Sequence, residues 1–88
     1  MHKELVLKFI AESHNTGDIT PYLEAEGVRI GELIQAGLLE SIFLKADQSG
    51  AFLVLNTDDA AAARAALDSL PLAQNGVTKV ELTEVIVP

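Results

Sequence analysis

His14 and Asp18 lie four residues apart in the stretch ESHNTGDI. An imidazole titrating near neutrality beside a carboxylate can serve as a general acid–base pair if both reach one reacting atom. The other reading is a solvated loop histidine, because Asn, Thr, Gly and Asp crowded together favour a loop. A second grouping follows: Tyr22 and Glu26 stand four apart, with Arg29 three further on. On a helix such spacing gathers side chains on one face. They could form a pocket edge, with the Tyr22 phenol binding substrate beside a carboxylate. They could equally be a solvent-facing Glu26–Arg29 pair, with Tyr22 packed on a sheet. With two histidines, no cysteine, and Asp and Glu scattered, no metal-ligand cluster stands out. No glycine-rich phosphate loop and no Ser-His-Asp signature is visible. Neither a metal nor another cofactor is expected.

The elements that must position these groups follow from pattern. In KELVLKFIA, residues 3–11, Leu5, Leu7 and Phe9 share one face of a strand, and Val6, Lys8 and Ile10 share the other. Both faces are largely apolar, so both are expected to be covered. Residues 20–37 read as a helix, with Thr20 as N-cap, Pro21 in the first turn and Gly37 as the left-handed cap. Gly27 and Gly31 inside it each cost about 1 kcal/mol against Ala, and close packing of the helix is the expected reason. LLESIFLKA is a second strand, DQSG a hairpin turn with Gly50 free to take positive φ, and AFLVLN an apolar, central third strand. TDDAAAARAALDSL is a second helix, capped by Thr57 or Asp58 and stopped by Pro71. GVTKVELTEVIV is a fourth strand, rich in β-branched residues.

The order β-α-β-β-α-β is the ferredoxin-like pattern of an α+β domain with a four-stranded antiparallel sheet. Residues 1–88 form a single domain, since 88 residues leave no room for a second core. Two helices cover one sheet face, and nothing in the chain remains for the other. The chain is 49% hydrophobic, more than a small monomer easily hides, and without cysteine neither disulfide nor zinc thiolate can compensate. A second copy is the economical cover, and Lys8 can then snorkel at the seam.

A net charge of −7 with six Lys and Arg gives no grip on phosphate, so neither nucleic acid nor an anionic membrane is an expected partner. The apolar runs fall far short of the roughly 20 residues needed to span a bilayer. The first residues reach charged and polar positions too soon for a signal peptide. Absence of cysteine fits the cytoplasm.

From LIQAGLLESIFLKADQSGAFLVLNTDDAAAARAALDSLPL onward the chain resembles the muconolactone isomerase-like family and the related YCII-like proteins, both of the dimeric α+β barrel group. The features that carry this are the Ala36-Gly37 helix end, a strand and hairpin turn, an apolar third strand, an alanine-rich helix and the Leu70-Pro71-Leu72 stop. The resemblance implies a homodimer with sheets packed face to face, which members of the group gather into larger rings. It also implies a small cavity between sheet and helices in each subunit. The implied activity is a cofactor-free isomerase or lyase acting by proton transfer on a small unsaturated lactone or carbonyl compound. Such chemistry needs a base near a conjugated carbonyl and a group to hold the enolate oxygen. By rough alignment Glu26 and Lys8 match acid–base positions of the family, Glu26 as proton shuttle and Lys8 as enolate partner, with His14 next as catalytic candidate. The YCII-like proteins are similar in pairing a His with an Asp. Where the isomerases carry basic and aromatic residues along the second strand, this chain has Glu40, Ser41, Phe43, Leu44 and Gln48, which suits a carboxylated lactone poorly. The rival reading is a non-catalytic small-ligand-binding or assembly module of the same fold. A cofactor-free monooxygenase is a third, with little support from one Tyr and no Trp.

Overall fold

The computed structural model describes residues 6–88. Strand β1 (Val6–Asn15) leads through a 3-10 turn (Thr20–Tyr22) into helix α1 (Leu23–Gln35). Strands β2 (Leu39–Leu44) and β3 (Gly50–Leu55) form a hairpin, followed by α2 (Ala60–Asp68), a short α3 (Pro71–Gln74) and β4 (Thr78–Val87). The four strands form one antiparallel sheet in the order β2-β3-β1-β4. This is the expected α+β, ferredoxin-like arrangement, with the helices on one face.

Alternation along β1 and β3 decides what each face carries. Phe9 pairs with Leu55, Ala11 with Leu53 and Ser13 with Ala51, so these side chains point together toward the helices. Phe9, Ala11, Leu53 and Leu55 are buried there with Leu33 of α1 and Ala63, Ala66 and Leu67 of α2. The alanines let α2 lie close on the strands, which is why an alanine-rich helix suits this place. The intervening residues Val6, Lys8, Ile10, Glu12 and His14 face the other way, as do Phe52 and Val54 of β3 and Phe43 of β2. On that open face Phe43 is 60% exposed, and Val6, Phe52 and Val87 are exposed as well.

Several boundaries differ from expectation for local reasons. Strand β1 runs on through Glu12–Asn15, a stretch with loop composition, because it is paired on both sides, His14 with Gly50 and with Lys79. Helix α1 has no side-chain cap from Thr20, whose backbone N–H instead donates to Asp18 Oδ1 at 3.0 Å. Asp59 rather than Thr57 or Asp58 caps α2, accepting from the Ala61 N–H at 2.9 Å. Gly37 takes the left-handed conformation expected of it (φ +77°). In the β2–β3 turn the positive φ falls on Gln48, not Gly50. Gly50 is required for a different reason: a Cβ there would lie 1.8 Å from the Ser13 carbonyl oxygen. Nor do Gly27 and Gly31 mark close packing among the described residues, since a Cβ on either would meet none of them within 4 Å.

Candidate active site

Pro71 does not simply stop the second helix. Helix α2 has already ended at Asp68, and Pro71 opens α3, which Gly76 closes with φ +68°. Pro71 fits there because the first turn of a helix does not need its missing N–H. The next residue, Leu72, turns its backbone N–H back toward α1 and donates to Glu26 Oε1 at 3.0 Å. Glu26 is buried, 9% exposed, and is the charged residue among the buried side chains of the described residues. Burial pushes its carboxyl above the usual glutamate range, and the bond from Leu72 only partly offsets this.

Glu26 lies in the wall of a cavity of about 420 Å³ between the helices and the covered face of the sheet. The walls are mainly aliphatic, with Ile30, Ile42, Leu53, Leu67, Leu70 and Leu72 among the lining residues. Polar groups come from Ser13 and Asn15 at the end of β1, Thr78 at the start of β4, and Gln48 in the turn. The Ser13 hydroxyl accepts from the Ala51 N–H at 3.0 Å, and Asn15 Nδ2 donates to the Gln48 carbonyl at 3.2 Å. Among the described residues no Lys, Arg or His lines this cavity. A protonated Glu26 can donate a hydrogen bond into it, and an ionised one can take a proton from a bound carbon acid.

The expected pairing of Glu26 with Lys8 in one subunit's cavity does not hold. Lys8 projects from the open face of β1, where its Nζ donates to Glu40 Oε1 beyond the irregular start of the β2–β3 pairing. The sheet separates it from Glu26. The alternative Glu26–Arg29 pair does not form either: Arg29 donates to Ser69 Oγ at 2.9 Å and to Glu32 Oε1 at 3.2 Å. Tyr22 is half-buried at the start of α1 and is not part of the cavity wall, which its neighbours Ile19 and Leu23 reach.

His14 also lies on the open face, and Asp18 is not its partner. The Thr20 bonds hold the Asp18 carboxyl below its usual range. His14 Nδ1 lies 3.2 Å from Lys45 Nζ, and its Nε2 lies 3.7 Å from Glu12 Oε2. Lys45 also bonds Glu12 Oε2 at 2.8 Å, which holds the Glu12 carboxyl below the usual range. Glu81 stands directly across from Glu12. Glu12, His14 and Glu81 place one ligand atom each within 4.8 Å of one another, a grouping the scattered sequence positions conceal. The Lys45 ammonium already supplies positive charge to two of the three.

The polar wall residues and the Leu72 amide were not among the sequence candidates. Ser13 and Asn15 continue the alternation of Phe9 and Ala11, so extending β1 by four residues would have found them. The Leu72 N–H has no sequence signature at all.

No protein-family model matches the chain. No curated protein matches it. Among solved structures it is similar to the 5-chloro-2-hydroxyhydroquinone dehydrochlorinase TftG from Burkholderia phenoliruptrix AC1100, in complex with 2,5-dihydroxybenzoquinone. The TM-score is 0.57 with 17% identity, over 85% of this chain and 90% of that one. At this identity the likeness shows a shared ferredoxin-like α+β fold.

Proposed function

We propose that this chain is a cofactor-free isomerase or lyase, acting by proton transfer on a small unsaturated lactone or carbonyl compound, with Glu26 as the proton shuttle. The observation that carries the reading is the buried Glu26 carboxyl in the wall of an apolar cavity, with one oxygen fixed by the Leu72 N–H. An ionised Glu26 would take a proton from carbon next to the carbonyl, leaving an enolate. Returning that proton at the far end of the conjugated system moves the double bond, with no other reactant needed. Its raised pKa suits both halves of the exchange, because a shuttle works best when its pKa approaches the working pH. Neutral donors, such as the Thr78 hydroxyl in the wall, would have to hold the enolate oxygen, since Lys8 lies beyond the sheet. The dehydrochlorinase activity of the structural neighbour is consistent with a small-molecule lyase or isomerase on this fold.

The same reading makes the protein a cytoplasmic homodimer with its open sheet faces packed together. The exposed Val6, Phe43, Phe52 and Val87 support such packing, and absence of cysteine suits a reducing compartment. Among the described residues no helix is long and apolar enough to cross a membrane. A second reading is a non-catalytic small-ligand-binding module, favoured by one observation: among the described residues no cationic group lines the cavity to hold an enolate.

The test is proton exchange in deuterated water, followed by NMR, with small unsaturated lactones and ketones. The wild type should incorporate deuterium next to the carbonyl, and Glu26→Gln should slow this by about 10²–10⁴-fold with the fold intact. Exchange that survives the substitution unchanged would remove Glu26 from the mechanism. Binding without exchange would favour the module.

A further inference from the structure

We propose that the cavity takes an uncharged small cyclic carbonyl compound, admitted past Gly27 and held with its carbonyl oxygen against the Glu26 carboxyl. This rests on the reading above that Glu26 works on a ligand in this cavity, and it adds the ligand's charge and its route of entry.

Charge is the first argument. Among the described residues Glu26 is the ionisable group in the cavity wall, and no cation accompanies it. An anionic ligand would leave water for an aliphatic enclosure holding a carboxyl and nothing to neutralise it. Burying an unpaired charge is strongly disfavoured. The chain's own net charge of −7 adds long-range repulsion. A neutral carbonyl meets none of these obstacles. Glu26 in its acid form can donate an O–H to that oxygen and so holds the ligand at rest, whereas the ionised form only accepts; in the proton-transfer step the neutral wall donors take the oxygen instead. The Leu72 N–H bonds Oε1 and so fixes the plane in which the carboxyl presents itself. The volume, about 420 Å³, lies within the range of small-molecule sites.

Gly27 is the second. It lies inside α1 without a positive φ, so no backbone conformation demands glycine. A Cβ there would meet nothing within 4 Å among the described residues, so no packing among them demands it either. Glycine weakens a helix interior, and here the fold gains nothing in return. Gly27 does border the cavity and is exposed, next to Glu26. Leu23, one helical turn before it, also lines the cavity and is 51% exposed, as does Leu44 at the end of β2, 79% exposed. An exposed leucine one turn from a missing side chain makes an apolar portal that an apolar ring can cross. Gly31, one turn further along, has the same steric freedom but does not border the cavity. It therefore serves as the internal control.

The experiment titrates the full chain, followed by amide NMR, with β-angelica lactone and with its carboxymethyl counterpart, which adds one negative charge to the same ring. The neutral lactone should shift the Gly27, Leu72 and Val80 amides and bind about tenfold or more tightly than the charged one near neutral pH. Its affinity should rise as pH falls through the Glu26 titration. That dependence should vanish in Glu26→Gln, whose amide keeps a donor. Gly27→Leu should weaken binding about tenfold, Gly27→Ala less, and Gly31→Leu not at all. Circular dichroism and melting temperature establish that each variant is folded. Equal or tighter binding of the carboxylate, unchanged binding by Gly27→Leu, equal loss in Gly31→Leu, or no binding of either compound would each overturn the proposal. Binding in the expected pattern without deuterium incorporation leaves this inference standing and removes the catalytic reading instead.

Discussion

Replacing Glu26 with glutamine separates the charge of this side chain from its hydrogen bond. Glutamine keeps an oxygen for the Leu72 N–H but has no proton to gain or lose. In the wild type, burial raises the Glu26 pKa above its ordinary value of 4.5. Between 4.5 and the raised value the native state holds a proton that the unfolded chain has released. Stability from this group is therefore fully present below 4.5 and is lost as pH rises through the folded pKa. Each unit of displacement corresponds to about 1.4 kcal/mol. Glu12, Asp18 and Asp47, whose pKa values are lowered by their hydrogen bonds, act with the opposite sign and at lower pH. They are common to both proteins, so the difference between wild type and Glu26→Gln isolates Glu26. The difference should be small at pH 4 and grow in favour of glutamine toward pH 8. Glu26→Ala should instead be less stable than Glu26→Gln at every pH, by about 1–3 kcal/mol, because it strands a buried N–H. For a domain of this size each kcal/mol is about 4–8 °C in melting temperature. Urea unfolding from pH 4 to 8 at one fixed protein concentration measures these differences. A wild type that gains on Glu26→Gln as pH rises would show a carboxylate stabilised by its partners, not one strained by burial, and would refute the argument.

Three further outcomes test the surroundings of the site. Gly31→Ala should raise stability by about 1 kcal/mol, since the Cβ meets open space, whereas Gly50→Ala should cost several times that by driving a methyl into the Ser13 carbonyl; thermal unfolding of both compares them directly. Ile10→Asp puts an unpaired charge in the centre of the open sheet face and should shift the protein from dimer to monomer in sedimentation, and a wild type that is already a stable monomer at micromolar concentration would remove the dimer. Lys45→Met should let the Glu12 carboxyl return toward its ordinary pKa, measured by carboxyl NMR titration, because the Lys45 bond is the main influence holding it down.

The order of elements was legible because hydrophobic period, turn residues and the alanine-rich helix all agree. The ends of elements were less so, and the site sits at those ends. ESHN reads as a loop by composition, yet pairing on both sides holds it in β1, where Ser13 and Asn15 reach the cavity and Glu12 and His14 reach the open face. Pro71 signals a helix stop equally well as a helix start, and only the fold selects the second. The Glu26–Leu72 contact joins a side chain to a backbone group 46 residues away, and backbone donors leave no mark in a sequence.

Lys8 is the instructive case, because two lines of sequence reasoning gave opposite answers. Alternation placed Lys8 with Val6 and Ile10, on the face away from Leu7 and Phe9. Alignment to the muconolactone isomerase-like family placed it with Glu26. The structure follows the alternation, since a strand cannot turn one residue over without slipping its whole register. The two faces consequently hold different chemistry. On the covered face, one carboxyl stands among aliphatic walls with no counter-ion among the described residues, and burial drives it toward its neutral form. On the open face, Lys8–Glu40 and Lys45–Glu12 are ion pairs, and partnering holds the Glu12 carboxyl in its charged form. A proton shuttle needs the first environment, because only there is the acid's pKa carried toward working pH. The second suits a seam, where charges that are already paired can set the register of a second sheet without burying a lone charge.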